Sequence, residues 1–350
     1  MTHHQWTRSK VSYVALWLLT AICPFCIEGL TSEHNLQYGS CHPHWDIHFD
    51  LLIWTAREAG ADNWAEEIET VGTLLPSRSN ELHAVDFPWD VGFRLGASRQ
   101  LCWNSFDMSI SFTRFYTQGT DHLAGAPGTI HSTFLGNFYI NNSDGSGLSG
   151  PSYERAKIKW NIDFNIFDWN IGYKFCIGKY IAFRPYIGIK GGWINQSIHS
   201  TWENPEISVN VFQVGTENLK NDFRGIGLSA GVNTNWKILA KECGRLYLFS
   251  DLSCAMFYGH WSFKDVFKND LPEKVTIAQQ NFNTGAPMVR TFMGLEWVHH
   301  LNCKGCHFST KLGFEMQVWL DQLKYYSFTG GRLDNQLSLQ GGTVELHFGF

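Results

Sequence analysis

The sequence predicts an all-β fold of one kind: a transmembrane antiparallel up-and-down β-barrel of about ten strands, with twelve as the alternative. Three observations carry this. Apolar residues recur at every second position through most of the 350 residues, the spacing of a strand with one apolar face. Aromatics make up 15% of the chain, with 15 Trp and 33 Gly, yet mean hydropathy is only -0.19, so the apolar surface is spread along alternating strands. Finally, the connections between strands alternate between short and long, which predicts short periplasmic turns and long extracellular loops.

In chain order, Arg8 and Lys10 precede "VSYVALWLLTAI", an apolar run too short to span a bilayer as a helix but suited to a secretory signal. Residues 1–28 are therefore expected to be a signal peptide, 29–43 a periplasmic N-terminal segment and 44–350 a single outer-membrane barrel. No later stretch approaches 18 consecutive apolar residues, so no transmembrane helix is expected. The net charge of -5 and the lack of any Lys/Arg run exclude a nucleic-acid partner.

The first strand is "WDIHFDLLIW", with Trp45, Ile47, Phe49, Leu51 and Ile53 on one face and Asp46, His48 and Asp50 on the other. "VGFRLGAS" and "DMSISFT" repeat the pattern around Arg94 and Asp107. In "KIKWNIDFNIFDWNIGYKF" the even-numbered set Ile158 to Ile166 gives way to the odd-numbered set Phe167 to Phe175. A β-bulge at Ile166 and Phe167 is the expected cause, one that keeps both sets facing lipid. Six further alternating segments bring the strand count to ten. The tight connections are Gln100 to Asn104, Cys176 to Lys179, Lys241 to Gly244 and Leu301 to Cys306. The long ones are Thr55 to Asp86, Gln118 to Tyr153, Thr201 to Asp222, Phe263 to Ala286 and Ser327 to Asn335. Strands longer than a membrane needs predict a collar projecting outward. Trp45, Trp54, Trp103, Tyr180, Trp236, Trp297 and Trp319, near strand ends, are expected in interfacial girdles. In the final stretch "TVELHFGF", Val344, Leu346, Phe348 and Phe350 alternate with polar residues, and closure requires this strand to zip against the first.

If the apolar faces meet lipid, the inner face carries Asp46, Asp50, Arg94, Asp107, Lys157, Lys159, Asp163, Arg184, Lys190, Asp251, Arg290, Glu296, Lys311, Glu315 and Glu345 as candidate pore-lining residues. Gly188, Gly192, Gly227, Gly231 and Gly313 are expected to widen the passage by omitting side chains. The favoured expectation is a narrow diffusion channel for small polar solutes or ions that also supports the envelope. The competing one is a closed structural or adhesive surface barrel, because barrels near eight strands are filled by side chains.

The stretches "LLIWTAREAG", "WDVGFRLGAS", "ISFTRFYT", "FRPYIGIKGGWINQS", "NDFRGIGLSAGVNTNW", "LYLFSDLSCAMFYGHW" and "LGFEMQVWLDQ", with a terminal aromatic, resemble the Legionella-type major outer membrane protein family. That resemblance implies an outer-membrane location, pore formation, and a terminal Phe350 read by the barrel-assembly machinery as an insertion signal.

Cys102, Cys176, Cys243, Cys303 and Cys306 fall in the short turns and Cys41 just before the first strand, all at one rim. The periplasm is oxidising. Neighbouring turns lie roughly 10 Å apart at an interstrand spacing near 4.8 Å, beyond disulfide reach, so these six are disulfide candidates toward other envelope proteins or a homo-oligomer. Cys254 sits on the face of Leu252 and Met256 and reads as a small lipid-facing hydrophobe. "HHLNCKGCH" lacks a second ligand pair at zinc-finger spacing, so no metal is expected. No GxSxG elbow occurs, and neither an enzyme nor a cofactor is expected.

Overall fold

The computed structural model describes residues 45–71, 77–101, 105–135, 152–205, 212–241, 244–271, 274–300, 306–327 and 331–350. Among these residues fifteen strands are defined: β1 (Trp45–Glu58), β2 (Ala65–Val71), β3 (Ser77–His83), β4 (Asp90–Gln100), β5 (Phe106–Ala124), β6 (Ile130–Ser132), β7 (Ser152–Tyr153), β8 (Arg155–Tyr173), β9 (Phe175–Ile177), β10 (Ile181–Glu203), β11 (Val214–Lys241), β12 (Gly244–Asn269), β13 (Lys274–His300), β14 (His307–Ser327) and β15 (Gly331–Gly349). One short 3-10 turn, Ala59–Asn63, follows β1.

Ten of these form a closed antiparallel ring in the order β1, β4, β5, β8, β10, β11, β12, β13, β14, β15. The seam is the predicted one: β15 pairs with β1, with Ile47 opposite Phe348 and Leu51 opposite Val344. Reciprocal backbone bonds between Trp45 and Phe350, 3.0 and 2.9 Å long, finish it. Closure leaves no strand edge to be satisfied in hydrocarbon. The short strand β9 adds to β10 at the short-turn end. The strands β3, β2, β6 and β7 make a separate four-stranded sheet in the long connections.

The long connections are shorter than expected because the strands continue into them. Most of Phe263 to Ala286 is strand, through Asn269 on β12 and from Lys274 on β13. Strands of up to 28 residues exceed the 9 to 11 needed to cross hydrocarbon, so the excess forms a collar.

On β12 the exposed apolar residues Leu248, Leu252, Met256 and Tyr258 alternate with inward ones. At about 3.3 Å per residue and a tilt near 40°, Leu248 to Tyr258 rises ~25 Å, the height of a lipid-facing apolar band. Matching residues ring the barrel, among them Ile53, Leu95, Ile110, Trp169, Ile187, Leu228, Met293, Phe314 and Leu346. Cys254 lies in this band, exposed between Leu252 and Met256, as expected.

Strand β8 corrects the sequence reading. Its pairing with β5 and β10 runs without any register shift from Arg155 to Gly172, so there is no bulge at Ile166 and Phe167. Ile158, Trp160, Ile162, Phe164 and Ile166 are buried inside the barrel, and Phe167, Trp169 and Ile171 face outward. The phase changes because the surroundings change. Below Phe167 the outer face meets lipid; above it the outer face meets water and the apolar residues turn into the lumen. Lys157, Lys159 and Asp163 therefore lie on the outer face of the collar, not on the inner wall.

Candidate functional site

The remaining twelve predicted inner-wall residues do face the lumen, and most are joined there by ion pairs. Arg94 on β4 donates to Asp50 on β1 at 2.8 Å, to Glu315 on β14 at 2.7 Å and to Thr113 at 2.9 Å. Since β14 and β4 are separated in the ring by β15 and β1, the Arg94–Glu315 pair crosses the lumen. Glu315 also accepts from Arg290 on β13 at 2.6 Å, and Arg290 bonds Asp251 on β12 at 2.8 Å. Asp251 in turn accepts from the Tyr186 hydroxyl on β10 at 2.9 Å. Gln317 and Thr343 supply further donors to Glu315 at 3.0 and 3.2 Å. This one connected network draws on strands from all around the ring. Charges taken out of water persist only when paired and hydrogen-bonded in this way.

Flanking pairs fill the rest of the same level. Lys190 meets Asp168, directly opposite it on β8. Lys311 bonds Glu345 at 2.9 Å, and Glu345 also contacts His347. His347 stacks on His48 with ring centroids 5.0 Å apart. Nearer the short turns, Arg184 bonds Asp107 at 2.7 Å and Asn233 at 2.8 Å, Asn235 donates to Glu296 at 2.8 Å, and Asp46 pairs with His307 at 3.2 Å.

Above this polar level the lumen is filled by aromatic side chains. Trp54, Trp160, Trp202, Trp261, Trp319, Phe115, Phe164 and Phe223 all have 0% exposure. Their contacts cross the barrel: Phe164 on β8 packs edge-on against Trp319 on β14 at 5.5 Å, and Phe223 on β11 meets the same indole at 6.5 Å. Trp54 and Trp319 thus belong to the core and not to interfacial girdles; Trp45 and Trp297 remain exposed on the outside. The connections add a cap, with Trp64 against Trp202 at 5.6 Å and Phe134 against Tyr325 at 5.1 Å. Buried indole N–H groups find partners, Trp160 at Gln196 (2.8 Å), Trp261 at the Gln322 carbonyl (2.8 Å) and Trp54 at Thr343 (3.1 Å).

The glycines do not open a passage. At Gly231 an added Cβ would lie 2.5 Å from the Tyr186 ring, so the space the glycine leaves is already taken.

Several functional-looking groups escape the sequence reading. Asp168 has inward parity between the lipid-facing Phe167 and Trp169, yet it is not among the predicted inner-wall residues. Glu58, Glu217 and Asp265 are buried in the collar lumen. Glu58 accepts from Gln196 at 3.2 Å, and burial pushes its carboxyl up to about 8. Burial likewise raises Asp265 to about 6, against a hydrogen bond with Glu217 that lowers it. Parity along β1 reaches Glu58 from Asp50, which is the signal that could have found it.

Of the disulfide candidates, Cys176 on β9 carries an exposed free thiol and Cys306 lies just before β14. Cys41, Cys102, Cys243 and Cys303 fall outside the described residues, as does Trp103. Among the described residues no group of three or more His, Cys, Asp or Glu is placed to hold a metal ion.

A closed, ten-stranded antiparallel barrel with an apolar outer band and a polar inner wall is a bacterial outer-membrane β-barrel. Residues 40–350 match the family described as Legionella pneumophila major outer membrane protein precursor, and the chain belongs to that family. No curated protein matches the sequence. Among solved structures, the outer membrane protease OmpT from Escherichia coli is similar at a TM-score of 0.37 and 8% identity, over 88% of this chain and 97% of that one. A major outer membrane protein from Thermus thermophilus follows at 0.31 and 8%, over 89% and 100%. A Pseudomonas aeruginosa FadL homologue gives 0.29 and 10%, over 88% and 90%. Likenesses this distant carry no argument about activity.

Proposed function

We propose that this chain is an outer-membrane structural barrel whose lumen is shut in its resting fold. The observation that carries the reading is the double filling of the lumen: the Asp50–Arg94–Glu315–Arg290–Asp251 network below and the fully buried Trp and Phe layer above. An open diffusion path needs a column of water through both levels. The collar and its four-stranded sheet then form the face presented to the surroundings, and lipid is the partner of the apolar band.

A second reading, a narrow channel for small polar solutes or ions, is favoured by one observation. The inner wall is charged at the level of the lipid band, and a purely structural filling of apolar residues would be at least as stable there. Family membership supports this reading too, through the pore formation that the resemblance implies. Reconstitution of the refolded chain in planar bilayers separates the two. A barrel that is folded and silent supports the shut lumen, and stepwise conductance of the unaltered protein overturns it in favour of the channel.

A further inference from the structure

The collar's outer face is not uniform. On β8, β10, β11 and β12, cross-strand pairing sets residues in level rows above the lipid band. The row Phe167, Gly191, Ile226, Tyr258 closes the band, and directly above it come Asn165, Trp193, Arg224 and His260. Over the next few residues the same face carries Lys220, Lys264 and Lys159, then Lys157 and Lys268, all exposed. Its acids are Asp222 and Asp163, with Arg155 at the top paired to Glu203 at 3.5 Å. The six unpaired bases Lys157, Lys159, Lys220, Arg224, Lys264 and Lys268 exceed the two acids by four charges, in a chain whose net charge is -5.

One contact within this face is unfavourable as it stands. Lys220 and Lys264 are directly opposite each other on adjacent strands, and like charges so placed destabilise a sheet. None of the six bases has an ion-pair partner among the described residues. Arg224 lies one row above the end of the apolar band, Lys220 and Lys264 three rows above it and Lys159 four, so the bases rise from the level at which lipid headgroups begin.

We propose that this face binds the phosphate groups of a membrane glycolipid, with Lys220, Lys264 and Lys159 as the central contacts and Arg224 at the edge nearest the acyl chains. The acyl chains rest on Ile226, Leu228, Met256 and Tyr258 below, while two phosphates neutralise the opposed lysines. A lysine near an anionic lipid surface contributes roughly a fivefold change in affinity.

The test is native mass spectrometry of the full chain folded in detergent, titrated with lipid A bearing both phosphates and with the same lipid enzymatically dephosphorylated. Preference for the phosphorylated form, lost as NaCl rises, is expected of the unaltered protein. The triple variant Lys159→Gln/Lys220→Gln/Lys264→Gln should bind on the order of a hundredfold more weakly. The variant Lys174→Gln/Lys179→Gln, at the opposite rim, should bind unchanged. Equal binding of the two lipids by the unaltered protein overturns the proposal without reliance on any variant. So does undiminished binding by a triple variant that still resists unfolding in cold SDS. Competition by millimolar inorganic phosphate as effective as the lipid itself assigns the face to free phosphate and overturns the lipid.

Discussion

Arg94 is 5% exposed and holds the carboxylates of Asp50 on β1 and Glu315 on β14, so its removal leaves buried Asp50 without a cation and Glu315 with Arg290 as its one remaining cation. Breaking one partner out of a buried ion network costs about 3–5 kcal/mol. Arg94→Gln is therefore expected to lower the temperature at which the SDS-resistant folded band disappears by more than any exposed collar Lys→Gln change does, and an equal effect would show that the network contributes little. Glu58 makes a pH prediction. Its carboxyl is held up at about 8 by burial, above the ordinary value of 4.5. Between those values the folded chain binds a proton that the unfolded chain releases, so stability is greatest below about 4.5 and falls as pH rises toward 8. Glu58→Gln should flatten the dependence of the urea midpoint on pH across that window and leave the variant more stable than its parent at pH 8. An unchanged slope would remove Glu58 as its source. The charged residues were legible because strand parity is simple: Asp50, Arg94, Lys190, Arg290 and Glu315 each sit between two lipid-facing neighbours. Their partners were not, because a contact such as Arg94–Glu315 joins residues 221 positions apart.

Strand β8 shows what alternation in a sequence can and cannot specify. The segments from Lys157 to Ile166 and from Phe167 to Tyr173 alternate equally well, and period-two patterning says only that the two faces differ. It does not say whether the polar face meets water outside a collar or polar groups inside a membrane-level lumen. The same inversion recurs on β12, where Leu252 and Met256 point outward but Trp261, Phe263 and Phe267 point inward. Two strands inverting at one level mark the upper edge of the apolar band. Brominated lipids test this facing, since they quench only indoles that touch acyl chains. Trp169→Phe should reduce the amount of fluorescence that is quenched, and Trp160→Phe should leave that amount unaltered. If Trp160 proves quenchable, the assignment of inside and outside on β8 is wrong.

At the scale of the whole barrel, the element count, the pairing order and the seam were all readable, because each follows from closure and from local turn signals. The filling of the lumen was not, since it depends on which faces converge in space. Deleting residues 348–350 removes the Ile47–Phe348 and Asp46–Gly349 pairs together with both backbone bonds from Trp45 to Phe350. The shortened chain is expected to lose the SDS-resistant form in refolding trials, and normal resistance would show that the seam closes without them. The two levels within the lumen also respond to opposite insults. Acid weakens a lattice of carboxylates and guanidinium groups but leaves packed indoles untouched. Alcohols and heat loosen aromatic packing while the ion pairs persist. On the shut-lumen reading proposed above, the barrel carries two stoppers in series that yield to different stresses, so leakage would require both stresses together.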